Sequence, residues 1–345
     1  MKITANQVTM LRIFLLPIPL CMLIYGQMTL WWVAFFFLTI LGATDFVDGM
    51  MARKEGPTVL GSLIDPVADK IFMAAVILCL VAIGIFEAWV ACAILSREFL
   101  LTALRSSVAR RDQSIKTSIL GKLKTIIQMG GCGTIFLTIV LSPLQTFWIN
   151  LALSSGFLAV AVVYFFKGRK IPFWAIPVFW CFILVAVLGI SVPKQTSLLI
   201  QVSIIIALTW VSALDYIFGC LKLFKQTGIY LGDIYRLCWC IIHGIFLVVL
   251  VSFYPVIVLP LLISISLEFS IGGIDNIILA KKPKFINWPF ISSCLYGSTA
   301  IILITFFPNK INIYLLVSAS IICSLSFFIA NKHIFSGKAS ENMLD

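Results

Sequence analysis

Charged residues are scarce in this sequence. They make up 11% of the 345 residues, whereas hydrophobic residues make up 61%. So little polar surface cannot cover a soluble globule of this length, which excludes the soluble classes. The short polar and apolar alternation of a membrane β-barrel is also missing, so transmembrane helices are the remaining backbone solution.

Metal-ligand spacing is absent from the cysteines, although there are ten of them. They are dispersed, and their single close pair, Cys238 and Cys240, has no partners at the spacing of a metal site. We interpret them as reduced core residues. A secretory cleavage pattern is missing as well, because the first apolar segment contains Arg12 and another apolar segment follows at once. We expect this first segment to stay as an anchor.

Apolar stretches long enough to cross a bilayer as helices, about 20 residues each, recur along nearly the whole chain. The predicted fold class is an all-α, polytopic transmembrane helical bundle with about 12 spans. The predicted spans are 8–26, 30–50, 63–84, 86–108, 118–141, 148–166, 172–191, 198–219, 237–255, 257–279, 289–307 and 312–330.

The net charge of +11 would suggest a nucleic-acid partner in a soluble protein. Here the positive-inside rule accounts for it, and we expect no nucleic acid. With a cytoplasmic N-terminus, only Lys194 and Lys310 fall clearly outside. The basic clusters that fall inside are Arg53-Lys54, Arg110-Arg111, Lys167/Arg169/Lys170, Lys222/Lys225 and Lys281/Lys282/Lys284.

Four aspartates lie close together on two of the predicted spans. Asp45 and Asp48 are three residues apart, and Asp65 and Asp69 are four apart, so each pair shares one helix face. Ionised groups at bilayer depth cost about 2.5–3.5 kcal/mol each on insertion scales, so a packing role does not explain all four. Gly56-Pro57 breaks the chain between the pairs and lets the two faces meet near the cytoplasmic interface.

Such a cluster repels itself unless cations neutralise it. Oxygen ligands favour hard ions such as Mg²⁺, Mn²⁺ or Ca²⁺. Gly49, Ala52 and Gly61 leave room for a ligand near the backbone, although small residues also serve helix packing. Arg53 offers a fork of donors for phosphate.

The residues from Asp45 to Asp69 resemble the CDP-alcohol phosphotransferase signature, D-x2-D-G-x2-A-R followed by G-x3-D-x3-D, with every signature residue present. Seven residues separate Arg53 from Gly61, one fewer than in the common family form. Two further stretches resemble phosphatidylglycerophosphate synthases in particular: Asn6-x-x-Thr9-x-x-Arg12, and the run from Arg97-Glu98 through Arg105 to Gly121-Lys122-x-Lys124-Thr125.

The resemblance implies a six-helix core with additional membrane helices. It places a CDP-alcohol phosphotransferase domain at 1–225, with two inserted helices near 148–191. Residues 226–345 would be a C-terminal membrane-helical region of unknown function. The implied activity transfers a phosphatidyl group from CDP-diacylglycerol to sn-glycerol 3-phosphate, giving phosphatidylglycerophosphate and CMP in phospholipid biosynthesis. Homodimers are common in the family.

The resemblance also implies roles for individual residues. Two divalent ions, Mg²⁺ or Mn²⁺, would be bound by Asp45, Asp48, Asp65 and Asp69, and Asp69 would also be the catalytic base. The residues implied around the cytidine diphosphate are Asp48, Gly49, Ala52, Arg53 and Gly61.

We predict a binding site for the acceptor phosphate on the fourth and fifth spans, made by charge-assisted hydrogen bonds. Its residues are Arg97, Arg105, Lys122 and Lys124. The positive-inside rule or contact with anionic lipid accounts equally well for Lys124. The protein is expected to be an integral, multi-pass protein of a bacterial cytoplasmic membrane, surrounded by lipid, with its active site facing the cytoplasm.

Two kinds of alternative stay open. The same chemistry could serve another acceptor, of cardiolipin, serine or inositol-phosphate type. From a different class, the many spans and acidic residues also suit a membrane transporter. A catalytically inactive scaffold is disfavoured because all four aspartates are present.

Overall fold

The computed structural model describes residues 4–56, 59–111, 119–172 and 174–238, together with 262–263, 265–266, 269–273 and 318. Within these residues the secondary structure is helical, and none of them lies in a strand. The helices are α1 (Ala5–Leu15), α2 (Pro17–Tyr25), α3 (Met28–Glu55), α4 (Val59–Ala82), α5 (Ala88–Ala109), α6 (Ile119–Val140), α7 (Pro143–Phe166), α8 (Ala175–Ser191) and α9 (Lys194–Thr227).

The first eight predicted spans are confirmed as helices, the first of them as the pair α1 and α2. This pair, α3, α7 and α9 are long and apolar enough to cross a membrane. Shorter apolar helical stretches lie at Ile127–Val140 and Ala175–Ser191. The chain is therefore an all-α, polytopic membrane protein. Most residues of the last four predicted spans lie outside the described residues, and the described parts of the span 257–279 are helical.

Local sequence accounts for the bounds of the first helices. The backbone N–H of Thr4 donates to Oε1 of Gln7 at 3.0 Å, which satisfies one of the donors at the start of α1. Proline has no N–H and cannot continue a helix's hydrogen bonds, so α1 ends before Pro17 and α2 begins there. Gly56 ends α3 with a φ of 91°, a conformation that glycine adopts without strain.

The chain divides into two compact units, of residues 1–114 with 220–345 and of residues 115–219. The predicted domains, 1–225 and 226–345, are defined by sequence, whereas these units are defined by packing, so the domains stay a prediction. In the first unit, α1 packs against both α3 and α4, and α2 packs against the same two helices. The fully buried side chains of Leu20, Ile77 and Leu78 form part of this core.

The second unit contains an antiparallel pair, α7 and α8, with a broad common interface. The rings of Phe157 and Phe182 stack there with centroids 5.4 Å apart. The predicted spans 148–166 and 172–191 are thus a helical pair, and their insertion into the family core stays a prediction. Elsewhere in the unit, buried Gln201 of α9 bonds with Thr134 and Thr138 of α6 at 3.2 and 3.1 Å, which satisfies polar groups within apolar helices.

Gly228 and Asp233 pack onto the end of α5 in the first unit. Asp233 is fully buried, and its carboxylate lies 2.7 Å from Arg111 and 3.6 Å from Arg110. Arg111 also donates to the carbonyl of Gly228 at 2.7 Å. This ion pair connects the start of the C-terminal region to α5. The basic pair predicted only to set topology therefore also has a structural partner.

We expect Asp233→Asn to destabilise the protein by about 3–5 kcal/mol, because the two guanidinium groups that it pairs with, whose side chains are 10% and 3% exposed, lose their carboxylate. The measurement is the midpoint of thermal unfolding in detergent. Asp215→Asn is the matched control, since Asp215 is exposed on α9 and its loss should cost less than about 0.5 kcal/mol. Equal shifts in the two variants would contradict a stabilising role for the Asp233 pair.

Candidate functional site

Two side chains of α1 lie at the centre of the aspartate cluster. Thr9 and Arg12 are three residues apart, so they share one face of the helix. Both are buried: Thr9 is 0% exposed and Arg12 is 3% exposed. Because α1 packs against both α3 and α4, this face is presented to both aspartate pairs.

Arg12 joins one aspartate from each helix. Its Nη1 donates to Oδ1 of Asp45 at 2.9 Å, and its Nη2 donates to Oδ1 of Asp69 at 3.1 Å. The same Nη2 lies 4.0 Å from Oδ2 of Asp48. One guanidinium therefore partly neutralises three carboxylates.

Thr9 joins the other aspartate of each helix. Its hydroxyl oxygen lies 2.8 Å from Oδ2 of Asp48 and 3.3 Å from Oδ1 of Asp65. A hydroxyl carries one proton, so it donates to one carboxylate at a time, and the shorter contact makes Asp48 the better acceptor. Asp48 is 5% exposed, so this bond satisfies a buried charge.

The structure brings all four predicted aspartates together, and it shows how. The sequence suggested that the faces of α3 and α4 meet each other across the Gly56 turn. In the structure α1 packs against both helices, and its side chains connect the two pairs. The shortened interval between Arg53 and Gly61 does not prevent this convergence, because the chain turns at Gly56 between the ends of α3 and α4.

The chemistry of the cluster suits a hard cation. Its anionic side chains are all carboxylates, the oxygen donors that Mg²⁺ and Mn²⁺ prefer. In the described part of the chain, no group of three or more Asp, Glu, His or Cys side chains is close enough together to hold a metal ion. A guanidinium, itself a cation, lies among the carboxylates instead. The residues fit a divalent site in charge and donor type.

The predicted nucleotide-binding residues lie beside the cluster on the same helices. A Cβ at Gly49 would meet nothing within 4 Å, so this position faces open space. Arg53 is exposed, and its Nε donates to the carbonyl of Gly49 at 3.0 Å. Ala52 is half-buried and Gly61 is buried. Open space at Gly49 is compatible with the close approach of a ligand.

The predicted acceptor residues are not brought together within one unit. Arg97 is 5% exposed on α5, and its Nη1 donates to Oε1 of Glu98 at 2.9 Å. Arg105 lies two turns further along α5 and is half-buried. Lys122 and Lys124 begin α6 in the other unit, where only the backbone is described.

The sequence indicated no role for Thr9 and Arg12 beyond a family resemblance. The available signal was the position of Arg12, because a cation inside an apolar span requires an anionic partner. Lys70, the neighbour of Asp69 in sequence, donates to Oγ1 of Thr102 at 2.5 Å and lies 5.5 Å from the ring centroid of Phe269, a residue of the C-terminal region.

The fold and the cluster define a class: a helical membrane protein with carboxylates from two helices gathered around a third. A sequence model of the CDP-alcohol phosphatidyltransferase family matches residues 2–164, which include the whole cluster. The chain belongs to this family. No solved structure matches it.

Several curated proteins are similar to the chain. The CDP-diacylglycerol–glycerol-3-phosphate 3-phosphatidyltransferase of Bacillus subtilis is 40% identical over 91 residues, covering 26% of this chain and 47% of that protein. The probable phosphatidylglycerophosphate synthase of Mycobacterium tuberculosis is 37% identical over 136 residues, 37% of this chain and 63% of that protein. The CDP-diacylglycerol–glycerol-3-phosphate 3-phosphatidyltransferase of Rickettsia typhi is 32% identical over 151 residues, which cover 41% of this chain and 85% of the R. typhi protein.

We expect Thr9→Val to destabilise the metal-free protein by about 1–3 kcal/mol, because buried Asp48 loses a hydrogen-bond donor while the side-chain shape is kept. The measurement is thermal unfolding in detergent with EDTA. Thr39→Val is the control, since Thr39 is exposed and donates within α3 to the carbonyl of Phe35. A loss no greater than that of the control would show that the Thr9 hydroxyl does not support the cluster.

Proposed function

We propose that this protein transfers a phosphatidyl group from CDP-diacylglycerol to sn-glycerol 3-phosphate, releasing CMP and forming phosphatidylglycerophosphate for phospholipid biosynthesis. The observation that carries the proposal is the convergence of Asp45, Asp48, Asp65 and Asp69 on two neighbouring side chains of α1. The names of the relatives from B. subtilis and R. typhi describe this donor and acceptor, which supports the choice of substrates.

The four aspartates are proposed to hold two divalent ions, Mg²⁺ or Mn²⁺. Carboxylates from two helices supply the oxygen ligands that such ions require. When bound, the ions would neutralise the diphosphate and stabilise the departing CMP.

The proposed reaction is a direct in-line displacement at the β-phosphorus of the donor, the one that carries the diacylglycerol. A bond forms between the acceptor hydroxyl oxygen and this phosphorus, and the bond to the CMP oxygen breaks. The proton of the hydroxyl passes to Asp69. The side chain of Asp69 is 42% exposed, so an acceptor can reach it. The remaining catalysis is positioning of the two substrates.

The chain's other residues are proposed to hold the two substrates. Asp48, Gly49, Ala52 and Gly61 surround the cytidine diphosphate, and the exposed guanidinium of Arg53 binds its phosphates. For the acceptor phosphate the proposed residues are Arg97, Arg105, Lys122 and Lys124. Arg97 already has a carboxylate partner in Glu98, which makes Arg105 the stronger candidate on α5.

Location and assembly are proposed on the same basis. The active site faces the cytoplasm of a bacterial cell, because this orientation places most basic clusters inside. The protein forms a homodimer, and residues 226–345 make a further membrane-helical region whose function is open. An acceptor of serine, inositol-phosphate or cardiolipin type, or transport, is the alternative that the following experiment tests.

The deciding experiment offers a panel of acceptors to the purified protein with CDP-diacylglycerol and Mg²⁺ or Mn²⁺, and measures CMP and lipid product. We expect product with sn-glycerol 3-phosphate and none after EDTA. Asp69→Asn should lower turnover by about 10²–10⁴-fold, because the proton acceptor is lost. Asp215→Asn is the control and should keep full activity.

Each other outcome has a distinct meaning. Product with another acceptor would correct the substrate, and an absence of CMP release with every acceptor would favour a transporter. Full activity of Asp69→Asn would refute the assignment of the base.

We expect Arg105→Gln to raise KM for sn-glycerol 3-phosphate by about tenfold or more, because a charge-assisted bond to phosphate is lost. KM for CDP-diacylglycerol should change little. Steady-state kinetics measure both constants, and Lys222→Gln, which removes an exposed positive charge from α9, is the control. A rise in both constants to the same degree would point to a general structural effect.

A further inference from the structure

The position of Arg12, which lies outside the aspartate signature, makes its guanidinium a competitor of divalent ions for the aspartates. Its guanidinium lies within 4.0 Å of the carboxylates of Asp45, Asp48 and Asp69. These are three of the four groups proposed to bind divalent ions. A fixed positive charge at this distance opposes any second cation that approaches the same carboxylates.

The guanidinium and the carboxylates differ in their access to solvent. The side chain of Arg12 is 3% exposed, whereas those of Asp45 and Asp69 are 46% and 42% exposed. Asp45 and Asp69 are therefore accessible to an ion from outside, whereas the guanidinium is enclosed. Asp48, at 6%, lies deeper, beside Arg12 and Thr9.

The bonding of Arg12 is also incomplete. Its Nε is buried and has no hydrogen-bond partner in the part of the chain that the structure describes. Arginine offers five donors in a rigid fork, and here the two terminal nitrogens make the contacts with the aspartates. Within the described residues, the ion pairs of Arg12 are with Asp45, Asp48 and Asp69, so an ion that takes over Asp45 or Asp69 weakens the main contacts of its guanidinium.

We propose that Arg12 is a built-in counter-ion of the aspartate cluster: it holds Asp45 and Asp69 together in the metal-free protein and competes with divalent ions for them. Arg12 is a positioning residue in this role. It prevents the carboxylates from separating before the ions bind, and its charge lowers the affinity for those ions. The inference rests on the proposed function only in taking these aspartates as the ligands of divalent ions.

The test is direct Mn²⁺ binding to the full-length, metal-stripped protein in detergent, with free Mn²⁺ measured by electron paramagnetic resonance. We expect Arg12→Gln to bind Mn²⁺ at least about tenfold more tightly than the wild type, because the competing charge is gone. Arg12→Lys keeps a positive charge but cannot bridge the two aspartates as a fork does, so its Mn²⁺ affinity should lie between those of the wild type and Arg12→Gln. Lys54→Gln is the matched control, since it removes an exposed positive charge from the end of α3, and its Mn²⁺ affinity should stay close to that of the wild type.

Thermal unfolding supplies the second readout. The metal-free midpoint should fall in Arg12→Gln, and Mn²⁺ should raise it by more than in the wild type. Unchanged or weaker Mn²⁺ binding by Arg12→Gln would overturn the inference, because a merely structural arginine would not increase affinity when lost.

If Arg12→Gln does not fold, Arg12→Lys decides the question. Lysine cannot bridge Asp45 and Asp69 as a fork does, so its midpoint should fall without metal and recover at saturating Mn²⁺. An equal loss in both conditions would contradict the inference.

Failure of the inference and failure of the proposed function are separable. Lipid product from the wild type together with unchanged Mn²⁺ affinity in Arg12→Gln would refute the counter-ion and leave the function standing. Tighter Mn²⁺ binding without any product would do the reverse.

Discussion

Four carboxylates on two apolar helices repel one another, and in this protein a guanidinium from a third helix partly neutralises them. Arg12 lies between Asp45 and Asp69, and one turn away the hydroxyl of Thr9 lies within hydrogen-bond distance of Asp48 and Asp65. The rest of the site depends on this arrangement, because carboxylates held apart could not act together. It also explains why α1 lies against both α3 and α4. Buried charges at bilayer depth are tolerated when they are paired.

The same constraint governs the packing elsewhere. Asp233 is fully buried because Arg110 and Arg111 neutralise it, and this pair connects residues beyond 220 to the end of α5. Further along the C-terminal region, Phe269 stacks on Phe99 of α5 with ring centroids 4.6 Å apart. The described pieces of that region are therefore part of the first compact unit. Polar and aromatic contacts select these neighbours, since lipid tails are as apolar as the helices themselves.

Much of the fold could be predicted from local patterns. Long apolar stretches indicated the helices up to α9, and Gly56-Pro57 indicated the turn after α3. The spacing of the aspartates indicated two shared helix faces, which the structure brings together. The partners of those faces could not be predicted, because a helix's sequence indicates which side is polar and not which helix lies against it. Arg12 was visible as an unusual charge within an apolar span, but its partners are 33 and 57 residues away.

The sequence by itself determined the membrane class, the positions of the helices and the family, because these follow from composition, periodicity and the spacing of residues near one another. Only the tertiary structure decided that α1 contributes Thr9 and Arg12 to the aspartate cluster, and that Asp233 and Phe269 pack against α5. The physical reason is the same in both cases. Helices of similar hydrophobicity have no apolar preference for one neighbour over another in lipid, so their arrangement depends on a few polar contacts between residues distant in sequence.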